Sequence, residues 1–206
     1  MTMSEKPSQD PAARRNKIFS GLSGRTPTPA KDVSIKEMLQ NVYGTVRGGA
    51  ESVDTKEAAR RLGVSQRTVQ RWIRGENKPK ADNLKKITTK NRQSVTTKAG
   101  RARTLRRAAQ HHKALTGSKP VRVRVHGYQG IADSDHGMRQ RNSQVKITAE
   151  EYSTLMQIAA TDGEDAALGY LQALYSDGRY PDNWEFRSID EFRVDEHPYG
   201  DDPRAN

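Results

Sequence analysis

The chain has 206 residues, of which 33% are hydrophobic and 6% aromatic, so a single large hydrophobic core is not expected. A net charge of +11 and a pI near 9.9 predict a polyanionic partner. Nucleic acid is favoured over a membrane, because no apolar run approaches the length of a membrane span. The lack of cysteine excludes disulfides and thiolate chemistry. With no secretory signal visible, we expect a cytoplasmic, nucleoid-associated protein.

The two halves of the chain carry opposite charge. Between Asp54 and Lys113 the sequence has 18 lysines and arginines but only four acids. From Glu150 to the last residue it has 14 acids and only four arginines. Because DNA phosphates repel an acidic surface, the first segment is suited to DNA and the second is better suited to contact with protein.

The first 33 residues have a composition that cannot build a core. They are rich in Ser, Pro, Lys and Arg, and we predict a disordered basic arm over residues 1–33. Ser34 followed by Glu37 has the pattern of a capping box, which marks the start of a helix. A first helix ending near Tyr43 is predicted from apolar residues at helical spacing, which are Ile35, Met38, Leu39 and Val42.

The pattern from Asp54 to Gly75 is that of two short helices joined by a tight turn. Gly63 lets the chain leave the first helix sharply, because a residue without a Cβ adopts the left-handed conformation at little cost. Ser65 is suited to cap the second helix. The residues that the two helices would bury together are Ala58, Ala59, Leu62, Val64, Val69 and Trp72. Residues 34–80 therefore predict a three-helix, helix-turn-helix domain.

The solvent-facing side of the second helix carries side chains that recognise DNA. Glutamine pairs with adenine edges, and arginine pairs with guanine edges or phosphate, so this helix is predicted to enter the major groove. The predicted DNA-binding residues of the domain are Ser65, Gln66, Arg67, Thr68, Gln70, Arg71, Arg74, Lys78 and Lys80. The alternative is an ordinary helical hairpin with a basic surface.

Residues 81–117 predict a basic helical linker. Their apolar residues, Leu84, Ile87, Val95 and Leu105, are too sparse for a continuous apolar face, so we expect a solvated helix. It is either a charged spacer or a phosphate-binding surface formed by Arg101, Arg103, Arg106 and Arg107. A metal site at His111 and His112 is not favoured, because adjacent residues point to different sides of a helix.

The pattern changes to period two after Pro120. Alternating residues predict a strand over residues 121–125 and a second strand over residues 144–148, joined by a long hairpin loop over residues 127–141. Thr148 and Glu151 form a second capping box, which starts a helix that buries Tyr152, Leu155, Met156 and Ala159. A further helix over residues 164–175 would bury Ala167, Tyr170, Leu171 and Leu174, and Trp184, Phe186, Phe192 and Val194 predict one or two late strands.

The predicted fold class is therefore α followed by α+β. The N-terminal helix-turn-helix domain and its basic helical linker precede a small C-terminal antiparallel sheet with two helices, over residues 118–195. The acidic tail, residues 196–206, is expected to fray.

Several features occur in a distinctive order. They are the run AARRLGVSQRTVQRWIRGENKPKADN, the basic stretch after it, the HGY at residues 126–128, and the segments LQALYSDG and EFRVD. This combination resembles the telomere terminal proteins of linear actinomycete chromosomes and plasmids. The resemblance spans roughly residues 34–195 and is closest in the helix-turn-helix. The chain differs from that family in its longer N-terminal arm and in lacking the family's threonine pair after the Gly-Tyr.

The resemblance implies a protein primer that patches the recessed 5′ end of DNA. A side-chain hydroxyl receives the first nucleotide and stays covalently linked to the DNA, and a telomere-associated protein and a DNA polymerase complete the system. One residue of slippage aligns Ser134 with the family's priming threonine, and Tyr128 is the competing acceptor. Asp133 and Asp135 would help to hold a divalent metal near the hydroxyl, or would only keep the loop solvated. The chain itself needs no cofactor, because the polymerase supplies the metal ions.

Two other functions remain open. In a sequence-specific transcriptional regulator the second domain would serve dimerisation or bind an effector. An independent enzyme is the third reading, for which the sequence offers no phosphate-binding glycine loop, zinc-binding helix or nucleophile elbow.

Overall fold

The structure is a computed structural model that describes residues 9–25, 33–44, 52–117, 119–131, 137–177, 180–181 and 183–195, without the side chains of residues 111–116. The chain divides into two compact units. Residues 25–114 form one, called the helical unit here. Residues 1–24 and 115–206 together form the other, called the α+β unit.

Eight helices and four strands lie within the described residues. The helices are α1 (Pro11–Ser23), α2 (Ile35–Tyr43), α3 (Thr55–Leu62), α4 (Gln66–Ile73), α5 (Ala81–Thr96), α6 (Lys98–Thr116), α7 (Ala149–Thr161) and α8 (Glu164–Ser176). The strands are β1 (Val121–Ile131), β2 (Arg139–Ile147), β3 (Trp184–Phe186) and β4 (Glu191–Asp195). The mixed fold class predicted from the sequence is confirmed.

The core of the helical unit is built from α2, α3, α4 and α5. Ser34 caps α2 by accepting a hydrogen bond from the amide of Glu37, as its sequence pattern predicts. The buried core residues are Leu39, Tyr43, Ala58, Ala59, Leu62, Val69, Trp72 and Ile87. Most of these positions follow the predicted apolar spacing, so the three-helix prediction is confirmed in its elements.

The prediction of a solvated linker over residues 81–117 is wrong. The segment is helical, but it forms two helices, and α5 packs along α2. Ile87 and Val95 of α5 and Leu105 of α6 are fully or almost fully buried. Asn91 is buried as well, and its side-chain oxygen accepts a hydrogen bond from Asn41 on α2. Sparse apolar residues thus suffice here, because the hydrogen bond from the half-buried Asn41 satisfies the buried Asn91 within the contact.

The prediction of a disordered arm over residues 1–33 is wrong for its central part, residues 11–23. Asp10 caps α1 by accepting from two backbone amides, and Pro11 provides a first residue that needs no amide partner. Ile18, Phe19 and Leu22 are buried, and α1 packs on β4 and α8. Three apolar residues on one helical face therefore anchor a segment whose overall composition resembles a disordered one.

The sheet of the α+β unit is antiparallel and centred on β1. β2 pairs with β1 along its length, from Val121 opposite Ile147 to Gln129 opposite Arg139. The other edge of β1 is shared, because β4 pairs with residues 122–126 and β3 pairs with residues 129–131. Both edges of β1 are thus paired, which leaves it the most protected strand of the unit.

The long hairpin loop predicted over residues 127–141 is wrong, because the strands extend far into it. β1 continues to Ile131 and β2 begins at Arg139, which leaves only residues 132–138 as the connection. Gly127 has no room for a side chain, because a Cβ there would collide with the carbonyl oxygen of Ser188 in the segment between β3 and β4. The valines predicted to face the core, Val121, Val123 and Val125, are buried.

Helices α7 and α8 pack on each other and α8 contacts β2 and β3. The predicted capping box of α7 is confirmed, with Thr148 accepting from the amide of Glu151 and Glu151 accepting from the amide of Thr148. The predicted inward residues of both helices are buried with the exception of Tyr170, which is half-buried, while Tyr175 is fully buried. Both late strands are confirmed as β3 and β4.

Some parts of the sequence predictions lie beyond what the structure describes. The acidic tail, residues 196–206, is outside the described residues, and so are the side chains of His111 and His112.

Among the residues that are described, no helix combines the length and apolarity that crossing a membrane requires.

The burial of α5 predicts that Ile87→Ala destabilises the helical unit by about 2–5 kcal/mol, because it leaves a cavity at a fully buried site. Leu84→Ala is the matched control on the same helix. Leu84 is 38% exposed, so its loss should cost about 0.5 kcal/mol or less. Chemical denaturation, followed by Trp72 fluorescence in a Trp184→Phe background, measures the free energy of unfolding of both variants. Equally small effects would mean that α5 is the solvated linker after all.

Candidate DNA-binding surface

The turn between α3 and α4 fixes how the two helices pack. Asp54 caps α3 by accepting from the amide of Glu57 at 2.9 Å. Gly63 ends α3 in the left-handed conformation, with φ of 69°. Ser65 starts α4, and its hydroxyl accepts from the amide of Thr68 at 3.1 Å. The predicted turn and cap are both present at the predicted residues.

The packing of α4 leaves one face of the helix exposed. Val69 and Trp72 are buried against α2, α3 and α5, which turns the opposite face of α4 outward. The exposed residues of this face are Gln66, Arg67, Gln70, Arg71 and Arg74. All five are among the predicted DNA-binding residues, so the structure brings them together on one surface, called the α4 face here. Its donors suit base edges and phosphates.

Ser65 and Thr68, two of the predicted DNA-binding residues, also form the start of α4. Their hydroxyl oxygens lie 2.8 Å apart, and both belong to the cap of α4. Gln66 is oriented from outside its own helix, because its amide nitrogen donates to the hydroxyl of Thr55 at 2.8 Å. Thr55 is the first residue of α3. Sequence reasoning missed it, because Thr55 and Gln66 lie on different helices and no local pattern pairs them.

An acidic residue forms ion pairs with the last two arginines of the α4 face. Glu76 accepts from Arg74 at 2.5 Å and forms an ion pair with Arg71 at 3.4 Å. The two guanidinium groups lower the pKa of Glu76, so its carboxylate stays charged at neutral pH. Further along, Lys78 and Lys80 are exposed on either side of the buried Pro79. Both lysines thus remain available next to the α4 face.

The four predicted arginines of α6 are not equivalent. Arg101 donates to the carbonyl of Val95 at 3.4 Å, and Arg107 donates to the carbonyl of Asn41 at 3.2 Å. Both are half-buried, whereas Arg103 and Arg106 are exposed. The set therefore does not form one uniform phosphate-binding stripe.

The predicted priming residues fall in two groups. Ser134, Asp133 and Asp135 lie in residues 132–136, which are outside the described part of the chain. Tyr128 lies within β1 opposite Gln140 rather than at a loop edge. Among the described residues, no cluster of three or more histidines and acids is placed to hold a metal ion.

Comparison with known proteins supports DNA as a partner. A helix-turn-helix family model matches residues 55–90, which cover α3, α4 and the first part of α5. No curated protein and no solved structure matches the chain. The chain therefore contains a helix-turn-helix domain over these residues, and this domain supports DNA binding.

The α4 face predicts a difference between two arginines. Arg71→Ala should cost about 1–3 kcal/mol on the preferred DNA sequence and little on a scrambled duplex, because an arginine that reads a base edge carries sequence information. Arg103→Ala should weaken binding to both duplexes alike, as a phosphate contact does. Binding curves on the two duplexes measure this. An equal loss on both for Arg71→Ala would reduce Arg71 to a phosphate contact.

Proposed function

We propose that the protein is a telomere terminal protein that binds DNA through the α4 face and serves as the primer for end-patching DNA synthesis. A hydroxyl of the α+β unit would accept the first nucleotide and stay linked to the DNA 5′ end. The observation that carries this proposal is the hairpin of β1 and β2. It frames residues 132–136, whose single hydroxyl is that of Ser134. The sequence resemblance to terminal proteins supports the same function.

The end of the hairpin is held by Arg141. Its Nε donates to the carbonyl of Gln129 at 3.2 Å, and its Nη2 donates to the carbonyl of Gly137 at 3.0 Å. The guanidinium also lies over the ring of Trp184, at 5.4 Å from the centroid. Gly130 packs closely on the segment just before β2, because a Cβ there would collide with the carbonyl oxygen of Gly137. The strands on both sides of residues 132–136 are thus tied together.

Gln129 anchors this end of the hairpin to the interior of the unit. It is fully buried, and its amide nitrogen donates to the carbonyls of Val125 at 2.8 Å and Arg141 at 3.1 Å. Its side-chain oxygen accepts from Ser143 at 2.6 Å and from the indole of Trp184 at 3.3 Å. A buried amide with every group bonded fixes the register of the two strands. A rigid frame of this kind suits a segment that must be presented to another protein's active site.

The chemistry required of the chain is modest. The hydroxyl oxygen of Ser134 would attack the α-phosphate of a deoxynucleoside triphosphate, which forms a phosphoester and releases pyrophosphate. The hydroxyl proton passes to a base, and metal ions of the partner polymerase stabilise the developing charge. Asp133 and Asp135 flank the hydroxyl in sequence and would assist the metal ions or keep the segment solvated. The telomere-associated protein and the polymerase are the protein partners that this function needs.

Tyr128 is the weaker candidate for the acceptor. Its amide donates to Ser188 at 3.0 Å, and its carbonyl accepts from the amides of Arg187 and Ser188. A residue held on both backbone groups within the central strand cannot move into a polymerase site without breaking the sheet. Ser134 is the favoured acceptor, because it lies in the connection between β1 and β2 and Tyr128 lies within β1.

The competing function is that of a helix-turn-helix transcriptional regulator. The observation that favours it is the match of the family model to residues 55–90 alone, because that domain is shared by many regulators. The two functions predict different covalent states of the protein in the cell. A regulator carries no nucleotide.

The proposal predicts a nucleotide on one tryptic peptide. Cleavage after Arg124 and Arg139 releases a peptide that contains both Ser134 and Tyr128. We expect this peptide, purified with its DNA and treated with nuclease, to carry a nucleotide that mild alkali removes by β-elimination. Mass spectrometry of the wild type and of Ser134→Ala and Tyr128→Phe measures it.

Ser134→Ala should abolish the modification, and Tyr128→Phe should keep it. A label that resists alkali and is lost from Tyr128→Phe would move the acceptor to Tyr128. An unmodified peptide from cells whose linear replicon is being copied would favour the regulator.

A further inference from the structure

A cleft in the helical unit lies apart from the α4 face. It has a volume of about 560 Å³ and is lined by the end of α2, by α3, and by the elbow where α5 meets α6. No residue of α4 lines it. The elbow is tightly packed, because a Cβ on Gly100 would collide with the carbonyl oxygen of Gln93. The cleft, called the elbow cleft here, is thus fixed by helices that also belong to the core of the unit.

Three basic side chains line the elbow cleft without a carboxylate partner. They are Lys90 of α5 and Arg103 and Arg107 of α6. None of the three forms an ion pair with an acid among the residues that the structure describes. Lys90 and Arg107 are half-buried, a state that is costly for an unpaired charge. Positive charge is therefore in excess over negative charge in this concave site.

The two acids that line the cleft are already engaged. Asp54 accepts from the amide of Glu57 as the cap of α3. Glu57 accepts two hydrogen bonds from Arg60, at 2.8 and 2.9 Å, and a further one from Arg61. These guanidinium groups lower the pKa of Glu57 to about 2. Glu57 is thus balanced by its own arginines, and Asp54 alone leaves the basic residues of the cleft in excess.

Arg107 is a half-buried cation of the cleft that has other cations near it. It donates to the carbonyl of Asn41, and burial together with the positive charges of Arg25 and Arg103 lowers its pKa. Tyr43, which also lines the cleft, has a buried hydroxyl with no hydrogen-bond partner among the described residues. Three cations and a free hydroxyl donor are the groups that bind a phosphate oxygen.

We propose that the elbow cleft binds a phosphate group through Lys90, Arg103 and Arg107. The group belongs either to the DNA backbone beside the sequence read by the α4 face, or to a free nucleoside triphosphate. The two ligands share this chemistry and are separated by the experiment. The inference rests on the chain's being a DNA-binding protein, and it does not depend on priming, so a failure of the priming test leaves it unchanged.

The first measurement titrates the full chain with inorganic phosphate and follows the arginine Nε–H signals by NMR. The signals of Arg103 and Arg107 should move, and that of Arg92 should not. Arg92 is exposed on α5 and does not line the cleft. Equal movement of all three signals, or movement of none, would overturn the proposal.

The second measurement identifies the source of the phosphate. Lys90→Gln with Arg103→Gln is compared with Lys86→Gln and Arg92→Gln, a pair on α5 that removes the same charge outside the cleft. If DNA supplies the phosphate, the cleft pair should lower the slope of log affinity against log salt by about two, and the control pair should leave it unchanged.

If a free nucleotide is the ligand, the cleft pair should keep the DNA slope of the wild type and abolish the NMR response to deoxyadenosine triphosphate. A cleft pair that changes neither the slope nor this response would contradict phosphate binding. A slope that both pairs lower equally would also contradict phosphate binding in the cleft, because it would show only the loss of general positive charge.

Discussion

The left-handed backbone at Gly63 and the hydroxyl cap of Ser65 together set the direction in which α4 leaves α3. A side chain at residue 63 would oppose this conformation by about 1–2 kcal/mol. With the direction set, Val69 and Trp72 reach the core, and the opposite face of α4 is left to solvent. The DNA-binding surface is therefore a consequence of how the helix is buried. Thr55 orients Gln66 on this face, and Glu76 holds its last two arginines.

The α+β unit depends on a comparable constraint at the end of its hairpin. Gln129 is a polar residue at a position where β1 faces the core, and its full set of hydrogen bonds makes that burial tolerable. Arg141 closes the hairpin from the opposite strand. The acidic residues from Glu150 onward make the later part of this unit less suited to DNA than the helical unit. In the proposed function, one unit binds DNA and the other presents a short segment to a partner protein.

The sequence predicts best where local signals are strong. The structure has the predicted turn at Gly63, the cap at Ser65 and the capping box at Thr148. These signals are reliable because caps and glycine turns act over three or four residues. Helix α1 and the packing of α5 were missed, since a few apolar residues such as Phe19 and Ile87 are decided by distant partners. The extension of β1 was missed because the buried Gln129 carries no strand signal. The elbow cleft joins α2 and α6, more than fifty residues apart, and no local pattern encodes it.

If the helical unit alone contains the DNA-binding surface, residues 25–114 should bind duplex DNA by themselves, and their affinity tests this most directly. We expect this fragment, shown to be helical by circular dichroism, to bind about as tightly as the full chain. Its affinity should fall roughly a thousandfold between about 50 and about 200 mM salt, because several phosphate contacts release counterions. A folded fragment that binds weakly or without salt dependence, while the full chain binds tightly, would contradict the account.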